Sequence, residues 1–143
     1  MSEQYGRSFA DKLIADGRFD DAIAAADRAI ALDGDDEGAW SERGQALYYQ
    51  HRYAESVESF RRALALNQDG GVLDDDLLDD ALYESVRAHA MAMHEAGESA
   101  RAIDALGEYQ RLLPAGRHVR DQQKWLDLFA GRAPKVVQRS SHC

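Results

Sequence analysis

Four side chains with soft donor atoms, His89, Met91, Met93 and His94, fall within six consecutive residues. Imidazole nitrogen and thioether sulfur suit soft metal ions. The stretch reads as one straight helix, on which His89 and Met93 share a face while Met91 and His94 point elsewhere. Four donors so placed do not converge on one ion, and no metal site is expected there. Asp33, Asp35, Asp36 and Glu37 crowd a turn but lack the spacing and closing glutamate of a calcium loop. Asp74, Asp75, Asp76, Asp79 and Asp80 read as a solvated helix start, with an acidic docking patch as the alternative. His142 and Cys143 have the chemistry to chelate a metal or form an intermolecular disulfide, but are read as inert. The chain shows no phosphate-cradling glycine loop, no nucleophile elbow and no carboxylate pair in a recognisable pocket. No catalysis and no cofactor are expected.

The elements that position these residues repeat. Sliding the chain by thirty-four residues brings Phe19 onto Tyr53, Ala22 onto Ser56, Ala29 onto Ala63 and Ile30 onto Leu64. A fixed period of this length with two short helices per unit marks a repeat solenoid, whose units must stack to bury their apolar faces. Tyr5, Phe9 and Leu13 form the first apolar stripe, and Phe19, Ile23, Ala26 and Ile30 the second, with a break at Asp16, Gly17 and Arg18. Trp40 and Leu47, then Tyr53, Val57, Phe60 and Leu64, repeat them. Leu78, Leu82, Val86, His89 and Met93 continue at spacings of four, four, three and four. One long helix is therefore expected over about 75–95, its N-terminus served by Asp74, Asp75 and Asp76, whose oxygens accept from free N–H groups and whose charge suits the helix dipole. Small residues are expected where paired helices come closest: Ala10, Gly44 and Ala90 on the first helices, Ala22, Ser56 and Ala102 on the second.

A last helix is expected over about 118–130, with Val119, Gln122, Leu126 and Phe129 inward and Arg120, Asp121, Lys124 and Asp127 outward. Such a polar-backed helix caps an open solenoid end. Residues 132–143, with Pro134 and little periodicity, read as an extended or flexible tail. A single domain is expected over residues 1–131, with units at about 3–36, 37–70 and 83–116. At 143 residues such a chain buries roughly 70% of its unfolded surface without metal or disulfide.

The net charge is −9. Residues 1–70 carry 8 basic and 14 acidic groups (−6), residues 71–116 carry 3 and 10 (−7), and residues 117–143 carry 6 and 2 (+4). An acidic body repels phosphate backbones and anionic lipid, so neither nucleic acid nor membrane is expected as a partner. No apolar run approaches transmembrane length and no signal-like block opens the chain, so a soluble, cytoplasmic protein is the expectation.

Gathered in one unit, Trp40, Gly44, Tyr53, Phe60 and Ala63 resemble the tetratricopeptide repeat family. Phe19, Ala22 and Ala29 supply the pattern in the first copy, and Ala90, Ala102 and Pro114 in the third. Departures are Gly6 and Val86 in the tryptophan place, Arg43 and His89 in the leucine place, and Tyr109 in a small-residue place. The resemblance implies an all-α fold: a right-handed α-solenoid of three helix pairs plus a C-terminal capping helix, whose first helices line a concave groove. In the family that groove usually binds a peptide or helix of another protein. Carried onto this chain, the groove is lined by Arg7, Asp11 and Ile14, by Ser41, Gln45, Tyr48 and Tyr49, and by Arg87, Met91 and His94. The peptide-binding set is Arg7, Asp11, Gln45, Tyr48, Tyr49, Arg87, Met91 and His94, with simple packing as the alternative role for Tyr48. Where family members clamp a chaperone's C-terminal carboxylate with basic residues, this chain has Arg7, Asp11, Glu42, Glu84 and Ala88, and three acids there repel such a ligand.

The leading reading is therefore a protein–protein interaction scaffold without enzymatic activity. Two alternatives are a self-assembling structural protein, in which acidic body and basic end pair weakly between copies, and a small secretion-type chaperone.

Overall fold

The computed structural model describes residues 9–67, 73–114 and 116–131. Within them the chain is all-α, with seven helices and no strand. They are α1 (Phe9–Ala15), α2 (Phe19–Leu32), α3 (Glu37–Tyr49), α4 (Tyr53–Asn67), α5 (Asp75–Glu95), α6 (Ser99–Leu112) and α7 (Val119–Phe129). Consecutive helices pack as neighbours: α1 with α2, α2 with α3, α3 with α4, and α6 with α7, while α1 also reaches α3. The chain divides into two compact units, residues 1–85 and 86–143, with the boundary inside α5.

Three helices end in the same hydrogen-bonded turn. After α1 the Arg18 N–H donates to Leu13 O and Gly17 N–H to Ile14 O; after α3 the donors are Arg52 to Leu47 and His51 to Tyr48; after α5 they are Glu98 to Met93 and Gly97 to His94. This pairing occupies carbonyls that a helix C-terminus leaves without an intrahelical partner, and it requires a left-handed residue just past the helix. Gly17 (φ 76°) and Gly97 (φ 84°) meet that requirement without steric cost, whereas His51 adopts φ 62° with a full side chain. Its ring is held there by a 2.6 Å hydrogen bond between Nδ1 and the Tyr53 hydroxyl.

The core of the first unit is built on small residues. Leu13, Ala22 and Ala46 form a buried cluster flanked by Ile14, Phe19 and Ile23. Gly44 on α3 faces the Phe60 ring of α4, which is only 2% exposed, and a Cβ on Gly44 would meet that ring at 2.9 Å. Beside this contact the fully buried Ser56 hydroxyl donates to Gly44 O at 2.8 Å and shares a 2.9 Å hydrogen bond with the Ser85 hydroxyl of α5. Arg43, in the leucine place of the repeat pattern, carries a polar substitute for packing. Its Nε donates to Asp27 Oδ1 on α2 and its Nη1 to the buried Ser59 hydroxyl on α4, both at 2.8 Å. Asn67 closes α4 onto the start of α5: its Nδ2 donates to Leu73 O at 3.0 Å and its Oδ1 accepts from Leu73 N–H at 2.9 Å. Asp74 caps α5 by accepting from Asp76 N–H at 2.8 Å.

The second unit buries Val86, Ala90, Ala102, Leu106, Tyr109 and Phe129. Tyr109, large where the pattern asks for a small residue, is fully buried. Its hydroxyl accepts from the His118 backbone N–H at 2.9 Å, which ties the start of α7 to α6. Gly116 leaves the room that the phenol occupies. Gln122, 1% exposed, donates from Nε2 to Leu106 O at 3.0 Å and makes the second α6–α7 link.

Three sequence expectations need correction. Phe9 does not join the first stripe's core: it opens α1 and is 62% exposed. Trp40 is only half-buried, because its Nε1 donates to Gly34 O at 2.9 Å and its ring lies under the Arg62 guanidinium. Asp79 is not part of a solvated surface but is 8% exposed. Arg7 and residues 132–143 lie outside the described residues.

Gly44→Ala is expected to cost about 1–2 kcal/mol, since the overpacking against Phe60 exceeds the helix-propensity gain of ~1 kcal/mol. Urea unfolding followed by circular dichroism should show a lower midpoint, and an unchanged or raised midpoint would mean that α3 and α4 do not approach so closely. Tyr109→Phe is expected to cost ~1 kcal/mol through the lost acceptor, and Tyr109→Ala ~3–5 kcal/mol through the cavity. Trp125 fluorescence in a Trp40→Phe background reads both, and a Tyr109→Phe variant as stable as the parent would remove the hydroxyl from the account.

Candidate functional site

A cavity of about 730 Å³ opens in the first unit among α1, α3 and the first half of α5. Alpha3 contributes most of one wall, through Gly38, Ser41, Glu42, Gln45, Tyr48 and Tyr49. Alpha1 contributes Asp11, α4 contributes Phe60, and the chain from Leu73 to Ser85 contributes Leu77, Leu78, Ala81 and further polar groups. The positions follow from helical spacing: Ser41, Gln45 and Tyr48 recur at four and three on α3, and Leu77, Ala81 and Glu84 do the same on α5.

The lining combines two chemistries. Tyr48, Tyr49, Phe60, Leu73, Leu77 and Leu78 form an apolar patch, in which Tyr49 is 54% and Leu77 67% exposed. Exposed apolar side chains gathered at a concave surface mark interaction sites more often than scattered ones do. Tyr49 is oriented by stacking on Phe19 at 5.3 Å between ring centroids, and Tyr48 by tilted packing on Tyr53 at 5.5 Å. Around the patch stand five carboxylates, Asp11, Glu42, Asp74, Asp80 and Glu84, and no lysine or arginine lines the cavity among the described residues. The three acids that argue against a carboxylate-clamping role, Asp11, Glu42 and Glu84, thus lie on one cavity.

Of the sequence-derived site residues, Asp11, Gln45, Tyr48 and Tyr49 line this cavity. Arg87, Met91 and His94 lie on the part of α5 that belongs to the second unit. There the Arg87 guanidinium sits 5.7 Å from the centre of the Trp125 ring, and the His94 ring stacks on Phe129 at 4.6 Å. His94 Nδ1 also shares a 2.8 Å hydrogen bond with the Ser99 hydroxyl, and Met91 is half-buried. Sequence reasoning missed Leu77 and Ala81. The signal was present, since Leu77, Ala81 and Glu84 form a second stripe on α5 beside the core stripe of Leu78 and Leu82.

No group of three or more histidine, cysteine, aspartate or glutamate side chains among the described residues is arranged to hold a metal ion. The acidic turn before α3 works as a cap: Asp36 Oδ1 accepts from Ala39 N–H at 3.1 Å and Asp33 Oδ1 from Asp35 N–H at 3.0 Å. No helix among the described residues is long and apolar enough to cross a membrane.

The sequential helix pairs, the small residue at the α3–α4 approach and the aromatic at the start of α4 coincide in one segment. Residues 38–69 match the tetratricopeptide repeat. The matched repeat comprises α3 and α4, so one of its helices supplies one wall of the cavity. This repeat marks a protein-interaction scaffold in general and is typically non-catalytic. No curated protein matches the chain.

His89 carries a resolved electrostatic perturbation. Burial, and secondarily the Arg101 guanidinium, push its pKa below the usual imidazole value of 6.5, while Glu108 pulls weakly the other way. The folded state thus prefers neutral His89, so its contribution is intact above pH 6.5 and diminishes as the pH falls from there toward the lowered folded value. His89→Gln is expected to lose less thermal stability than the parent between pH 7.5 and pH 5. Parallel melting curves across that range would assign the acid sensitivity to other groups.

Proposed function

We propose that the chain is a scaffold that holds a peptide or helix of another protein in the cavity among α1, α3 and the first half of α5. The observation that carries this reading is the presentation of partly exposed aromatic and aliphatic side chains on a concave surface to which the matched repeat contributes one wall. Aromatic anchors in such surfaces supply most of the binding energy, and Tyr48 and Tyr49 are the two placed for it. Asp11 and Gln45 flank them as polar contacts. Arg87 and His94 are engaged by the rings of α7, and we assign them to seating that helix. Helix pairs α1/α2, α3/α4 and α5/α6 are read as three copies of one repeat, with α7 covering the last. The reading contains no catalytic step.

A photo-crosslinking residue at Gln45, compared with one at Arg120 on the outer face of α7, tests it in cell extract. Crosslinked protein is expected from position 45, and Tyr48→Ala is expected to reduce the yield about tenfold, as loss of an anchor worth 1–2 kcal/mol implies. Crosslinking from position 120 alone, or indifference to Tyr48→Ala, would move the binding surface elsewhere.

A further inference from the structure

We infer that His51 and Tyr53, neither of which lines the cavity, are positioning residues that hold the anchors Tyr48 and Tyr49 ready for a ligand. The inference rests on the binding reading above and adds to it the residues that act on the site from outside. Five rings form a continuous chain. Phe19 stacks on Tyr49 at 5.3 Å between centroids, and Tyr49 meets Tyr48 edge-on at 5.8 Å. Tyr48 tilts against Tyr53 at 5.5 Å, and Tyr53 meets the His51 ring edge-on at 5.7 Å. All four spacings fall in the roughly 4.5–7 Å range over which rings attract in offset and edge geometries. The two middle rings line the cavity. The outer three come from the start of α2, the start of α4 and the turn between α3 and α4.

Both ends of the chain of rings are anchored. Phe19 and Tyr53 occupy equivalent places in the repeat, each the first residue of its helix, and they brace the Tyr48–Tyr49 pair from either side. Beyond Tyr53, His51 holds φ 62° where the equivalent turns after α1 and α5 carry Gly17 and Gly97. A left-handed backbone disfavours any residue with a Cβ, so histidine there costs stability that glycine would keep. What His51 supplies, and glycine lacks, is a ring and the 2.6 Å hydrogen bond between its Nδ1 and the Tyr53 hydroxyl. That bond fixes the Tyr53 ring, and the Tyr53 ring limits the rotamers open to Tyr48. An anchor already held in its binding orientation has less freedom to lose when a ligand arrives. Strain kept at such a place points to function and away from stability.

The test uses the full chain with fluorotyrosine at position 48 alone, read by fluorine NMR. Beside it stand the melting temperature and the photo-crosslinking yield from position 45 in cell extract, both measured without the fluorine label. His51→Gly and Tyr53→Phe each remove one partner of the hydrogen bond. Each is expected to move the fluorine resonance toward that of free fluorotyrosine, and the double variant to move it no further, as two halves of one interaction should. The crosslinking yield is expected to fall about threefold in each, because ligand binding is weakened in proportion to the fraction of chains whose anchor is already oriented. The melting temperature of His51→Gly is expected to equal or exceed the parent's, since glycine adopts the left-handed turn without steric cost. A role in stability alone would lower the melting temperature and leave the fluorine resonance of the folded chain where it is.

An unmoved resonance and a full crosslinking yield in His51→Gly, with the yield lost in Tyr48→Ala, would overturn the positioning role and leave the cavity as the binding surface. A yield that falls in His51→Gly only together with the melting temperature, the resonance staying in place, would assign His51 to stability and overturn the proposal. A resonance that moves in both variants, with a yield indifferent to them and to Tyr48→Ala, would overturn the proposal together with the reading beneath it.

Discussion

The closest approach in the first unit sets the terms for its other contacts. Alpha3 and α4 meet where Gly44 has no side chain and the Phe60 ring fills the space. A buried hydroxyl beside that contact, Ser56, gives its proton to the Gly44 carbonyl and shares a hydrogen bond with Ser85. Three helices are thus joined by one ring and two hydroxyls, with no polar atom of that group left open to water. Hydrogen bonds of this kind contribute modestly when made but are costly to leave unmade in a dry interior. The arrangement therefore specifies the spacing and register of α3, α4 and α5 as well as adding stability.

The cavity is a consequence of that spacing. Because α3 is pinned through its inner face to α4, its other face is left to present Gln45, Tyr48 and Tyr49. Because α5 is pinned at Ser85, the neighbouring stripe of Leu77, Ala81 and Glu84 faces the same space. Core and cavity lining lie on adjacent stripes of the same helices, separated by about a third of a turn. The exposed ion pairs Arg18–Asp21 and Arg52–Glu55, at equivalent places before α2 and α4, are by contrast solvent-screened and add little to stability.

Departures from the repeat pattern turn out to be locally compensated. Arg43 replaces an apolar contact with hydrogen bonds to Asp27 and Ser59, two groups that no apolar residue would satisfy. Tyr109 replaces a small residue and gains an acceptor role toward α7, made possible by Gly116. His51 accepts a left-handed conformation that glycine holds in the two equivalent turns, with Tyr53 as its hydrogen-bond partner. In each case a large or strained residue is retained beside a specific neighbour that uses it.

Apolar periodicity and turn chemistry were enough to read the helices from residues alone, because burying one face of a helix imposes a 3.6-residue spacing on any sequence that folds this way. They also pointed to the small residues: Ala10, Ala22, Ser56, Ala90 and Ala102 are all buried, since only small side chains fit where helix axes come close. Periodicity could not rank the large residues. Trp40 and Phe60 look alike in a stripe, yet one is half-exposed over a turn and the other is sealed under Gly44. Nor could it separate the carboxylates, for Asp74 caps a helix, Asp79 is buried and Asp80 lines the cavity. Local spacing determined which face of each helix turns inward, because that depends only on residues a turn apart. Which inward or flanking side chains meet, and whether they enclose or leave a space, depended on residues dozens of positions away, and only the packed helices decided it.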